Sequence, residues 1–222
     1  MKGMLPLLLG PGSGPLHVLC LGAHSDDIEI GVAGTLITLL EARPGSSVTW
    51  VVAAASGERD AEARNSAEAL LRGVAAVDVR VLGLRDGYLD RVGADVKDAL
   101  AAVRDDSPAP DVVFTHHRED RHQDHRAISD LTWQLWRDHL VLEYEVPKWD
   151  GDLGRPNLYV PLPGEVAARK LAHLEDHFAS QRGKDWYDAD TFRGLMRLRG
   201  MECRAPSRFA EAFHARKLVL GA

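Results

Sequence analysis

The feature that most restricts how this chain can fold is a regular alternation of short apolar runs with longer stretches of helical apolar spacing. Residues 16–22, 48–54, 78–84 and 111–115 read as buried strands. Residues 28–41, 58–73, 95–106 and 125–139 read as the helices between and after them, with Pro44-Gly45, Gly73 and Ser107-Pro108 as stops. Antiparallel neighbours need only tight turns, whereas parallel neighbours need a crossover of a dozen or more residues. The rhythm therefore predicts an α/β fold: a mostly parallel sheet with helices on both faces.

Beyond residue 140 the rhythm breaks. Residues 141–146 and 157–162 read as strands, and 165–178 and 189–199 as helices. Between the two strands, residues 147–156 form a loop too long and too aromatic for a simple turn, the kind of segment that often acts as a lid. The expected organisation is a flexible leader over 1–15 and one domain over 16–222. That domain has a core over 16–140 and an irregular C-terminal extension over 141–222.

At 222 residues and 45% hydrophobic composition the chain can bury a sizeable core. Its formal net charge of −6 disfavours non-specific binding to nucleic acid or to an anionic membrane. No run approaches the roughly 20 apolar residues of a membrane-spanning helix. The segment Met4–Leu9 is shorter than a signal-peptide core and is broken by Pro6. Of the two cysteines, Cys20 lies inside an apolar strand run and is expected as a buried thiol. These features together point to the reducing cytoplasm.

Chemistry concentrates in two clusters, Ala23-His24-Ser25-Asp26-Asp27 and His122-Gln123-Asp124-His125, roughly ninety residues apart. Each follows a predicted strand, and in open α/β sheets that edge is where ligands bind. His24 and Asp27 are spaced to converge where strand turns to helix, and His125 can supply a third ligand. Hydrolytic zinc sites take three protein ligands and keep a place for water. Aspartates at helix starts are also common caps, which is the alternative for Asp26, Asp27 and Asp124.

The segment Leu21-Gly-Ala-His-Ser-Asp-Asp-Ile-Glu-Ile-Gly-Val-Ala-Gly-Thr-Leu36 resembles the first motif of the LmbE-like, or PIG-L, de-N-acetylases, and His122-Gln-Asp-His125 resembles their second. Ser56-Gly57-Glu58 with Arg64 and Glu68, Leu82-Gly83-Leu84 with Asp86-Gly87, and Ala210-Glu211-Ala212-Phe213 extend the likeness over most of the chain. Ser25 stands where the family usually has proline, and Gln123 where it often does. The resemblance implies a Rossmann-like LmbE fold and a Zn2+ site made by His24, Asp27 and His125. It implies Asp26 as general base and His122 as a group acting on the transition state. Fe2+ suits the same ligands. Asp124 either orients a ligand ring or caps its helix, and Glu29 either supports the site from behind or answers the helix dipole.

The resemblance further implies hydrolysis of an N-acetyl group from an N-acetylglucosamine-type conjugate, a soluble small molecule, in a bacterial sugar-conjugate or secondary-metabolite pathway. Arg64, Trp149 and Asp150 are candidate substrate contacts, although Arg64 also has Asp60 and Glu68 four residues away on its own helix. Homo-oligomers are compatible with the sequence. An iron(II) oxygenase fits poorly, because it leaves Asp26 without a task. A dinucleotide-binding domain fits worse still, since carboxylates replace the glycine-rich phosphate loop.

Overall fold

The computed structural model describes residues 14–219. Most of the expected leader thus lies outside the described residues. Seven strands make one sheet in the order β3-β2-β1-β4-β5-β7-β6. Strands β1 (His17–Gly22), β2 (Ser47–Val52), β3 (Ala76–Val81), β4 (Val112–His116) and β5 (Leu140–Tyr144) run parallel. Strands β6 (Leu158–Leu162) and β7 (Phe209–Ala215) complete the sheet, with β7 antiparallel to both of its neighbours.

Except between β5 and β6, the connections are helical. They are α1 (Asp27–Ala42), α2 (Glu58–Leu70), α3 (Gly93–Asp106), α4 (Gln123–Leu135), α5 (Gly164–His177) and α6 (Ala189–Glu202). Alternate residues of each parallel strand feed opposite faces. Val18, Cys20, Trp50 and Phe114 pack into the core beneath α1, α2, α5 and α6. Leu19, Leu21, Val51 and Val113 pack into the second core with Leu100, Ile128 and Trp136 on the α3 and α4 side. The expected α/β architecture with helices on both faces is therefore present. Cys20 is a buried free thiol, as is Cys203.

Two local readings need correction. Helix α4 begins at Gln123 rather than His125, because the His122 ring accepts the Asp124 backbone N–H and supplies the cap. The tail after residue 203 contains a strand, β7, that alternation in the sequence did not reveal. Its face pattern is blurred by Glu211, which is buried because Lys170 of α5 neutralises it at 2.6 Å. The same carboxylate accepts the Gly34 and Thr35 backbone N–H groups of α1, while the Lys170 ammonium donates to the Ile30 carbonyl. Helix α1 lies close on the sheet because Gly31 has no side chain: a Cβ there would sit 2.3 Å from the Tyr144 ring.

Strand order turns around between β1 and β4, since α1 leads outward to β2 while β4 lies on the other side of β1. The crevice at the C-terminal ends of these two strands is the expected ligand position of a doubly wound sheet. Both sequence clusters are delivered there.

Candidate metal centre

Residues 23–27 follow β1 directly, and residues 117–125 connect β4 to the first turn of α4. The two segments bring His24, Asp27 and His125 face to face. His24 Nδ1 lies 3.2 Å from His125 Nε2 and 3.3 Å from Asp27 Oδ2, and His125 Nε2 lies 3.4 Å from Asp27 Oδ2. Donors held about 2.0–2.1 Å from a tetrahedral metal are separated from one another by roughly 3.3–3.4 Å. The three atoms therefore fit three corners of such a site and leave the fourth open.

The opposite nitrogen of each ring is held by carboxylates. His24 Nε2 contacts Asp124 Oδ2 at 3.2 Å and Asp86 Oδ1 at 3.1 Å. His125 Nδ1 contacts Asp120 Oδ2 at 2.9 Å. This is the carboxylate–histidine arrangement that orients metal-binding imidazoles. Asp124 also accepts the Gly87 and Leu89 N–H groups at 2.6 and 3.0 Å, so it braces the loop after β3 and is no helix cap.

Burial works against charge on His24, yet Asp27, Asp124 and Asp86 raise its pKa well above that of free imidazole. Burial is likewise outweighed at His125 by Asp27 and Asp120, and its pKa rises. Asp27 is buried too, but His125, His116 and His24 hold it well below the usual carboxylate range. In the metal-free protein the cluster thus holds protons that an incoming metal displaces. Raised histidine pKa values extend that competition upward in pH. Zinc affinity is expected to fall with decreasing pH from a point above 6.5, the ordinary imidazole value. Chelator competition across pH 5.5–8.5 (a range of about three decades in proton concentration) checks this, and a flat profile would contradict it.

Two further histidines approach without completing the set. His116 stacks on His125 with ring centroids 3.9 Å apart. Its Nε2 accepts the Ala23 backbone N–H at 2.9 Å, so the lone pair that a metal would need is engaged. Burial, aided by His125, lowers its pKa to about 4 and keeps the ring neutral. His122 lies edge-on to His24, with centroids 4.9 Å apart, and beside His125 at 4.7 Å. Burial and the charges on His125 and His24 lower its pKa. Overlapping donor groups that include His116, His122 or Asp86 are geometrically possible. The His24–Asp27–His125 set is the one that joins a carboxylate to two rings whose remaining nitrogens both rest on further carboxylates.

Asp26 is buried beside this cluster. Its Oδ1 accepts from Arg59 at 2.6 Å, while its Oδ2 is buried and has no partner among the described residues. It sits at the helix start yet makes no side-chain cap bond. The Ser25 hydroxyl donates to the Arg59 carbonyl at 2.8 Å, tying the turn after β1 to α2. Gln123 Nε2 similarly reaches the Gly87 carbonyl at 3.4 Å. Both positions where the family favours proline therefore fasten their turns by side-chain hydrogen bonds instead.

Glu29 is fully buried one turn beyond Asp26 and is bonded to the Ser66 hydroxyl, which in turn contacts His173 Nε2 at 2.8 Å. Burial raises the Glu29 pKa well above its ordinary value, and the neighbouring Asp26 and Asp27 add to the rise. It is a buried member of the site's surroundings and not a solvated helix-dipole residue.

The expected substrate contacts are placed unevenly. Arg64 lies on the exposed face of α2, paired with Asp60 at 3.1 Å, and has no contact with the cluster. Five residues of helix turn it about 140° from Arg59, so the two arginines face different ways. Arg59 is the one that reaches the site, and no local sequence signal separates it from Arg64. Trp149 is 70% exposed, and its indole N–H donates to Asp185 Oδ1 at 2.6 Å. Asp150 is exposed at the edge of a cavity of about 680 Å³ that also borders His117, Asp120 and Asp152. Asp120, which lies in the charge run Arg118-Glu-Asp-Arg121, is buried behind His125.

Fold and site together define a Rossmann-like α/β protein with a candidate mononuclear metal centre at the switch point of its sheet. Residues 19–136 match the PIG-L family, GlcNAc-PI de-N-acetylase, and the chain belongs to that family. The uncharacterized deacetylase YaiS of Escherichia coli K12 is 28% identical over 181 residues, spanning 72% of this chain and 89% of that protein. The N,N'-diacetylchitobiose deacetylase of Pyrococcus horikoshii shares the fold with a TM-score of 0.64 and 20% identity, over 90% of this chain and 83% of its own. The 4-carboxy-2-hydroxymuconate hydratase GalB of Pseudomonas putida KT2440 does so with a TM-score of 0.66 and 16% identity, over 93% and 98%. A fold shared by a deacetylase and a hydratase leaves the reaction to be argued from the site.

Proposed function

We propose that this protein is a zinc-dependent hydrolase that removes the N-acetyl group from an N-acetylglucosamine-type aminosugar conjugate, a soluble small molecule of the cytoplasm. The observation that carries the reading is the pairing of three donor atoms at tetrahedral spacing with a buried, unpartnered carboxylate oxygen on Asp26. No described helix is long and apolar enough to cross a membrane, which suits a soluble conjugate better than a glycolipid.

When bound, the metal polarises the amide carbonyl and brings the acidity of water toward neutral pH. Arg59 fixes Asp26 Oδ1 and leaves Oδ2 to take the proton from the attacking water. A base placed this way contributes about 10²–10⁴-fold. We assign His122, whose ring accepts the Asp124 N–H and whose own backbone N–H is held by Asp120 Oδ1, to hydrogen-bond the developing oxyanion or protonate the departing amine. Asp120 and Asp124 keep the two ligand rings in register.

The test is acetate release from a panel of N-acetylglucosamine conjugates by protein loaded separately with Zn2+ and with Fe2+. Release that a chelator abolishes and added zinc restores is the expected result. No release from any conjugate by protein of confirmed zinc content would overturn the aminosugar assignment and direct attention to other amides.

A further inference from the structure

Half of the residues in the loop over 147–156 are exposed, but the Lys148 side chain runs inward. The Lys148 side chain is 8% exposed, and its ammonium bonds Asp120 Oδ2 at 2.9 Å and Asp152 Oδ2 at 2.8 Å. That Asp120 oxygen is the one that receives His125 Nδ1, while Asp120 Oδ1 receives the His122 backbone N–H at 2.8 Å. Asp152 closes the circuit by accepting the Arg121 backbone N–H at 2.7 Å. Further along the loop, Gly154 N–H donates to Glu145 at 2.7 Å, and Arg199 donates to the Gly154 carbonyl at 3.2 Å.

We propose that Lys148 is a positioning residue that clasps the 147–156 loop to the carboxylate behind His125, so that loop order and metal retention are one coupled equilibrium. The proposal rests on reading His125 as a metal ligand. A buried carboxylate shared by a ligand histidine and a lysine cannot move for one without moving for the other. If zinc fixes the His125 ring, it fixes Asp120, then Lys148, then the loop. Coupling of this kind is reciprocal: the factor by which zinc orders the loop is the factor by which the clasped loop tightens zinc. The ~680 Å³ cavity is bordered by Asp120 on one side and by Asp150 and Asp152 of the loop on the other. A ligand filling it touches both ends of the clasp.

The test uses the full chain, with zinc as the only probe. Hydrogen–deuterium exchange over residues 147–156 is compared with and without zinc in wild type, Lys148→Met and Asp152→Asn. Zinc affinity is measured by chelator competition on the same three proteins. Wild type should show at least about fivefold slower loop exchange with zinc. Both variants should lose that difference and bind zinc about tenfold more weakly, the usual loss when a group behind a ligand is removed. The pair separates clasping from simple charge. As a mere cation Lys148 would repel the metal, so its removal would tighten zinc, while Asp152→Asn would weaken it. Tighter zinc in Lys148→Met therefore overturns the proposal, as does wild-type loop exchange indifferent to zinc. A wild type that takes up no zinc would sink the metal-centre reading along with it.

Discussion

Asp26→Asn is expected to bind one zinc per chain and to lose about 10²–10⁴-fold in kcat. The substitution is nearly isosteric. The asparagine oxygen can still accept from Arg59, which contacts Oδ1 at 2.6 Å, so the turn and its link to α2 persist. What disappears is the acceptor at Oδ2, the buried oxygen without a partner, where an amide NH2 can only donate. Retained metal with lost turnover assigns that oxygen to proton transfer. Undiminished activity would remove Asp26 as the base and leave its burial to be explained by Arg59 alone. Zinc content by elemental analysis, beside acetate release, distinguishes the outcomes.

His125→Ala is expected to abolish stoichiometric zinc binding and, with it, activity. The loss should exceed the about 10–100-fold that follows removal of a carboxylate behind a ligand, because a donor itself is removed. Three contacts vanish together: the 3.2 Å approach to His24, the 3.4 Å approach to Asp27 and the 2.9 Å bond to Asp120. The informative control is His116→Gln, since His116 stacks on the same ring and sits 3.3 Å from Asp27. With Nε2 occupied by the Ala23 N–H, His116 is predicted to be dispensable for zinc. Full occupancy in His125→Ala, or its loss in His116→Gln, would exchange the roles of the two histidines.

The parallel part of this fold was legible because most of its strands are buried and read as short apolar runs between helical stretches. The convergence of the candidate donors was legible for a related reason: they occupy two short segments at strand ends. Its supports were less so. Asp120 sits among Arg118, Glu119 and Arg121, a charge run that on its face belongs in solvent, and only the path of the chain after β4 turns it behind His125. Arg59 and Arg64 share one helix and one composition, and the angle between them is a property of where α2 docks. Strand β7 was hidden because it carries a buried glutamate, Glu211, whose partner, Lys170, lies 41 positions earlier. Local patterns report what a residue does to its own segment, and Arg59 and Glu211 act on segments far from their own in the chain.

The insertion of β7 between β5 and β6 has a consequence for how the chain matures as it leaves the ribosome. Strands β2 to β5 each pair in parallel with a partner already synthesised and can assemble in turn. Strand β6 cannot, because its neighbour in the sheet is β7, made some fifty residues later. Until then β5 presents an open edge, and Lys170 has no counter-charge at the face of α1. A nascent or prematurely terminated chain stopping before residue 209 would thus expose an unpaired strand edge, the surface that recruits other strands. The antiparallel strand that the parallel rhythm did not announce is the one that closes the sheet, and it does so last.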